Sequence, residues 1–432
     1  VATRLSFAAA GDSFITRRLP SVEDASFRRL AEFLQRADVR FTNLEVTVHN
    51  REGVPSALSG GTWAAAHPEV LRDLKAYGFN LVAWANNHTL DYLYEGLHAT
   101  KRHLDQFGFV HAGVGQNLAE ASEVKYLETV NGRVALIAAT STFHEFWAAG
   151  EQRPDMIGRP GVNPLRYRVE HRISEERMRQ LQEIADIVEI NAEDKLLQKE
   201  GFVVDPDSDA FRFGKYTFKI GPVEGRKTFP HQSDMTRILS RIREAKRQAD
   251  IVLVSIHAHE MKGEAKDQPA DFLVEFSRKC IDEGAHGVIG HGPHIVRGVE
   301  IYKGRPIFYS LGNFIFQNDS VSHLPADFYE KYGMGHDDNV ADALDKRSHN
   351  NTKGLGAAPK VWSSVIPYWV MEDGNLKELH LYPIDLGFGQ PRYRRGWPEL
   401  SEKTEVLKNL QALSLPFGTE IIIGQGVGKV VL

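Results

Sequence analysis

Repeatedly along this chain, a short β-rich apolar run stops on a polar motif. Residues 5–10 lead into Gly11-Asp12, 39–42 into Asn43-Leu44-Glu45, and 80–85 into Asn86-Asn87-His88. Residues 134–140 precede a polar segment, 251–256 lead into His257-Ala258-His259-Glu260, and 287–289 into Gly290-His291-Gly292-Pro293-His294. Amphipathic stretches such as 26–35 and 68–76 lie between these runs. Alternating strand and helix patterns predict an α/β fold. Open α/β sheets place their sites beyond the ends of strands, where these polar motifs sit.

Composition narrows the chemistry. Against 57 Asp and Glu, the 52 Lys and Arg leave a net charge of −5, so no chain-wide basic field for nucleic acid exists. One cysteine, Cys280, excludes an intramolecular disulfide framework and a Cys-rich zinc module. Its helical, apolar surroundings predict a packed thiol rather than a nucleophile. Histidine stands out at 18 residues, several beside Asp, Asn or Glu, which points to metal binding or proton transfer and hence to an enzyme. No apolar run reaches the ~18 residues of a spanning helix, and residues 1–10 lack a signal-peptide core. The expectation is a soluble, cytoplasmic protein with no membrane and no nucleic-acid partner.

Taken singly, some motifs have ordinary readings. A Gly-Asp pair is most often a turn, and a carboxylate such as Glu45 after a strand is most often solvated. Asn86-Asn87-His88-Thr89-Leu90-Asp91 is harder to explain by packing. An amide oxygen ligates a metal, the next imidazole handles protons, and Asp91 is spaced to orient His88 if a helix begins there. His257 and His259, two apart on a strand, share a face. Gly290 to His294 holds two imidazoles in a loop of small, backbone-restricted residues. Gly424-Gln425-Gly426-Val427-Gly428-Lys429 lacks the spacing and the Ser/Thr of a phosphate loop, and Gly113-Val114-Gly115 is read as a turn.

As an ordered set these motifs resemble the CapA family, named for poly-γ-glutamate capsule synthesis, within the calcineurin-like metallophosphoesterase superfamily. Gly298-Val299-Glu300-Ile301-Tyr302 and Tyr309-Ser310-Leu311-Gly312-Asn313-Phe314 are similar to that family's later signature. The resemblance covers about residues 1–150 and 251–318. It implies a double β-sandwich flanked by helices, with metals at strand ends. It implies Asp12 as the opening Asp, Glu45 as a bridging carboxylate, and Asn87 as an amide ligand. His88 corresponds to a proton-handling His, His257 and His291 to single-His ligands, and His294 to the last His. Two departures stand out: the usual Asp-x-His is Asp12-Ser13-Phe14, and the final Gly-His-x-His is longer by one residue. The expectation is therefore one divalent ion (Mn, Ca, Zn or Fe), partly water-ligated, and no organic cofactor. Asp12–His294 and His88–Asp91 remain as acid/base pairs.

Three functional classes follow. The first is an acid/base enzyme on a peptide substrate, with epimerisation of an α-carbon at a precursor's C-terminal residue ranked foremost, because lasso-peptide epimerases are of this type. The second is hydrolysis of a phosphoester or amide, linked to poly-γ-glutamate. The third is a non-catalytic capsule-assembly module.

Residues 1–149 and 250–432 are read as the catalytic domain and 150–249 as a helical insertion, a lid or substrate reader. Its features are a long helix over 174–199, a glycine-punctuated stretch over 202–229, and a helix over 233–248 capped by Ser233. It is expected to border the site, with Arg153, Arg159 or Arg166 holding a substrate carboxylate and His259 also touching substrate. Residues 337–360, polar and Gly-dotted, are read as a mobile loop.

Overall fold

Alternation at period two decides the layering. Along Arg4–Phe14, Leu5, Phe7 and Ala9 join one buried cluster while Ala8, Ala10 and Phe14 join another. Ile251–His257 divides likewise, with Ile251 and Leu253 on one side and Val252, Val254 and Ile256 on the other. Strands buried on both faces need a layer against each. The computed structural model, which describes residues 3–204 and 209–432, supplies them as helices, sheet, sheet and helices.

One sheet has ten strands. Its main path runs Ile421–Gly424, Val427–Val430, Asn375–Asp385, Ser363–Glu372, Arg4–Phe14, Val39–Leu44, Leu81–Ala83 and Val110–Ala112, with Asn313–Phe316 beside Arg4–Phe14. The other has six, in the order Val296–Tyr302, Arg305–Leu311, Gly287–His291, Ile251–His257, Gly132–Thr140 and Lys125–Thr129. Phe7, Phe41 and Trp369 from the first sheet meet Leu136, Leu253, Ile289 and Phe308 from the second in the shared core. Leu30, Leu74 and Leu97 cover the outer face of the ten-stranded sheet. Ile238, Ile242, Phe276 and Cys280 cover the outer face of the six-stranded one, so the thiol is packed as expected. The fold is thus mixed α/β, with two sheets sharing a core and helices on their outer faces. No described helix is long and apolar enough to cross a membrane.

Both sheets are parallel at their centres. Arg4–Phe14, Val39–Leu44 and Leu81–Ala83 run together, as do Gly132–Thr140, Ile251–His257 and Gly287–His291. The polar motifs lie at the C-terminal ends of these strands. Gly11-Asp12 is no turn: the strand continues to Phe14 with a register shift between Ala9 and Asp12. A Cβ on Gly11 would stand 1.8 Å from the Gly312 carbonyl oxygen, so the glycine permits two backbones to touch.

The middle of the chain departs from expectation. Tyr167–Ile173, Phe211–Phe213, Tyr216–Ile220 and Gly225–Pro230 form a separate four-stranded sheet, so the segment is not simply helical. The long helical pattern breaks into Glu175–Ile187 and Ala192–Lys199, with Glu189 at φ +53° between them. Gln232–Ala245 starts after an extended His231, not at Ser233, because the chain leaves the strand at Pro230. Its Met235, Ile238 and Ile242 pack into the core beneath the six-stranded sheet. Residues 337–360 contain the helix Val340–Ser348, held by a capping box between Asn339 and Asp342, rather than a loop throughout. The Gly424–Lys429 stretch is a hairpin between Ile421–Gly424 and Val427–Val430.

Candidate metal centre and its cavity

The strand ends of the two sheets converge on one buried cluster. Asp12, Glu45, His257 and His291 are fully buried, and Asn87 and His294 nearly so. Three overlapping trios have ligand atoms within 4.8 Å of one another: Asp12, His257 and His291; Glu45, His257 and His259; and Asp12, Glu45 and His294. His257 is the hinge of the arrangement. Its Nδ1 lies 3.0 Å from His291 Nδ1 and 3.6 Å from Asp12 Oδ1, while His291 Nδ1 is 3.3 Å from that same oxygen. At the other ring edge, its Nε2 lies 2.8 Å from Asn87 Oδ1, 3.1 Å from His259 Nε2 and 3.7 Å from Glu45 Oε1.

Supporting contacts aim these donors. Asn43 Nδ2 and the Gly292 N–H donate to the two oxygens of Asp12, at 2.8 and 2.9 Å. Ser255 Oγ stands 2.8 Å from His291 Nε2, which leaves Nδ1 for the cluster. His294, at φ +61°, has its Nδ1 2.9 Å from Asn313 Oδ1 and its Nε2 3.8 Å from Glu45 Oε1. An acceptor behind the ring fixes the tautomer with the Nε2 lone pair forward. Asp12 and His294 share one of the trios without a hydrogen bond between them, and Asn313 stands behind the His294 ring.

Glu45 is the decisive side chain. It is not a solvated loop carboxylate: both its oxygens are buried and neither has a hydrogen-bond partner. Burial, with the charges of Asp12 and Asp91 nearby, pushes its pKa well above the usual range. Burial also raises Asp12, but hydrogen bonds and charge from His257 and His291 outweigh it and hold that carboxyl well below. Burial lowers His257 and His294 to about 4. Two buried carboxylates facing neutral imidazoles are a poor salt bridge and a good donor set for a cation. The residues present thus fit a divalent ion.

His88 stands beside this cluster with its own partner. Its Nδ1 is 2.7 Å from Asp91 Oδ2. A turn, not a helix, brings them together, and Leu93–Gln106 begins only afterwards. Asp91 also accepts from the Ala64 and Gly60 N–H groups, at 2.7 and 3.3 Å. Burial raises the Asp91 carboxyl despite these bonds and His88. Asn86 completes the motif structurally: its Nδ2 donates to the Leu44 carbonyl and its Oδ1 accepts the His88 N–H.

A cavity of about 320 Å³ opens on the cluster, lined by His88, His259 and His294. Its other walls come from residues 60–62, 318–319, 344–356, 392 and 395, and from Lys266. The arginines expected there lie elsewhere. Arg153 pairs with Asp155 in solvent, Arg159 donates to the Ala148 carbonyl, and Arg166 makes a two-point bond with Asp234. Arg159 and Arg166 line a different cavity, and among the described residues the insertion contributes nothing to the walls of this one.

Residues 6–318 match the family model described as bacterial capsule synthesis protein PGA_cap. The chain belongs to the PGA_cap family. The protein y4sH of Sinorhizobium fredii is 37% identical over 435 residues, spanning 98% of this chain and 92% of its own. The capsule biosynthesis protein CapA of Bacillus anthracis is 23% identical over 321 residues, spanning 72% of this chain and 60% of its own. The PGA biosynthesis protein CapA of Bacillus subtilis is 40% identical over 84 residues, 19% of this chain and 21% of its own. The PGA_cap match reaches every residue of the cluster, and also Asn313. Sequence reasoning did not assign Asn313 or Ser255 a role, since each meets its histidine only across the fold. It also set His259 apart as a substrate contact, whereas its Nε2 faces the cluster.

Proposed function

We propose that this PGA_cap chain is a metal-dependent hydrolase of calcineurin-like architecture that cuts an amide bond in an acidic, γ-glutamyl polymer. The observation that carries the reading is the buried Glu45 carboxylate, unpartnered among histidines and Asp12. In this reading ligands drawn from Asp12, Glu45, Asn87, His257, His259, His291 and His294 would hold a divalent ion, with His257 offering one of its two ring nitrogens to it. Four imidazoles beside two carboxylates favour Mn, Fe or Zn over Ca. Bound there, such an ion supplies Lewis-acid polarisation of the bond to be cut.

The remaining steps belong to the chain itself. His88 lines the cavity with Nδ1 anchored on Asp91, so its other nitrogen is free to move a proton to the departing amine. Asp91 keeps that ring in one orientation. Water adds its oxygen to the acyl carbon as the C–N bond breaks, giving a carboxylate and a shorter amine-ended chain. The wall of the cavity is rich in Lys and Arg, which suits an acidic polymer. The PGA and capsule names of the relatives support that substrate class.

The comparisons give epimerisation no support. In the hydrolase reading His294, with Nδ1 on Asn313 and Nε2 facing Glu45, is a ligand. The test is to incubate purified protein with poly-γ-glutamate and count new amine ends. Expected is cleavage that a chelator stops and added Mn or Zn restores. Intact polymer at full metal occupancy would reject the reading.

A further inference from the structure

We propose that Arg347, assisted by Lys266, forms a carboxylate-binding subsite beside the metal centre that holds a pendant carboxylate of the substrate. The proposal rests on the hydrolase reading for what is cut. The cavity wall carries Lys266, Arg347, Lys353, Arg392 and Arg395, with Asp319 as its carboxylate. Two of these cations are already neutralised. Arg392 lies 2.5 Å from Asp345, and Arg395 pairs with Asp319 while stacking over Trp362.

Arg347 differs. It donates to Thr62 Oγ1 at 2.6 Å and to Asn318 Oδ1 at 3.1 Å, both neutral acceptors, and lies over the Phe328 ring. Among the described residues no carboxylate is in ion-pairing contact with it; the charge of Asp319 acts on it from farther away, and that carboxylate is bonded to Arg395. A guanidinium has five N–H donors in a rigid fork. Two neutral acceptors fix its orientation and leave donors for a two-point bond to a planar oxyanion. Lys266 is half-buried in the same wall, its main chain held by Arg297, and its ammonium likewise lacks an acidic partner among the described residues. Half-buried cations without counter-ions are costly to keep, which makes sense where the counter-ion arrives with the ligand. His88 and His294 line the same cavity, so the bound carboxylate would sit next to the bond being cut.

The test is calorimetric binding to the full chain, using a γ-linked glutamate trimer and the same trimer with its α-carboxylates converted to carboxamides. Wild type should prefer the carboxylate form. Arg347→Gln should weaken that form by about 30-fold or more and leave the carboxamide form within twofold. Lys266→Gln, on the separate strand Ala265–Pro269, should show the same selective loss in smaller measure and keeps the test open if Arg347→Gln fails to fold. Folded Arg347→Gln that binds the carboxylate trimer as wild type does overturns the subsite. So does orthophosphate displacing the trimer at equal concentration, which would assign the cations to phosphate. Polymer cleavage with unchanged KM in Arg347→Gln overturns the subsite and leaves the hydrolase standing. Carboxylate-selective binding lost in Arg347→Gln, with no cleavage by wild type, supports the subsite and sinks the hydrolase.

Discussion

At the scale of single residues, substitution should separate ligands from proton carriers. Glu45→Gln keeps shape and removes the charge that a cation needs, so the purified variant should contain little metal by elemental analysis. Asp91→Asn and His88→Gln should keep their metal and lose turnover by about 10²–10⁴-fold. Equal metal loss in all three would merge the two roles and contradict the assignment. Asn313→Ala frees the His294 ring and should weaken metal affinity by about 10–100-fold, read by competition with a chelating dye. A pH effect arises away from the site. Burial, with the charges of Arg305 and Lys246, lowers His286 to about 4, and its Nδ1 accepts the Val252 N–H at 3.0 Å. Folding therefore favours the neutral ring. This contribution is complete above the unfolded pKa of about 6.5 and is lost as pH falls toward 4, because the unfolded chain binds the extra proton. The loss amounts to roughly 3 kcal/mol across that window. Denaturant titrations of His286→Gln should give a flatter acid-side slope than wild type; identical slopes would refute the linkage.

At the scale of elements, Arg297 carries a structural burden that matters for the site. Its buried guanidinium donates to the carbonyls of Lys266, Ala258 and His259, at 3.0, 3.2 and 3.0 Å, and burial lowers its pKa to about 10. It pins the segment that carries His259 and Lys266. Arg297→Met leaves three carbonyls without a partner and should cost about 3–5 kcal/mol in chemical denaturation; a loss below 1 kcal/mol would contradict that role. Strands were the legible elements, because apolar runs ending on His, Asn and Asp motifs survive in any context. The helix Val340–Ser348 was also written locally, in its Asn339–Asp342 capping box, but the glycines flanking it drew the eye to a loop. Less accessible were contacts made across the fold. Asn313 meets His294 from a strand 19 residues on, and Arg347 reaches the cavity from a helix outside the matched motifs. The insertion arginines were misplaced for the same reason: Asp234, 68 residues on from Arg166, claims its guanidinium. Period and spacing carry no information about such partners.

At the scale of the whole molecule, two sheets converge so that residues from the N-terminal strand to residue 313 form one buried cluster. The cluster is costly for the folded chain alone, since Glu45 is unpartnered and Asp12 is buried beside histidines. An ion that binds only the folded state repays this by mass action, about 4 kcal/mol at a thousandfold excess over Kd. Chelator should accordingly lower the melting temperature reversibly, and Glu45→Gln should melt at the same temperature with and without chelator. The central claim, that this chain adds water across an amide bond, has one direct measurement. Metal-loaded protein is incubated with a γ-linked glutamate oligomer in heavy-oxygen, deuterated water, and the products are weighed by mass spectrometry. The account predicts shorter oligomers, each new carboxylate carrying one heavy oxygen, with no deuterium at any α-carbon. Full-length oligomer carrying deuterium at an α-carbon, or full-length oligomer unlabelled at full metal occupancy, would contradict it.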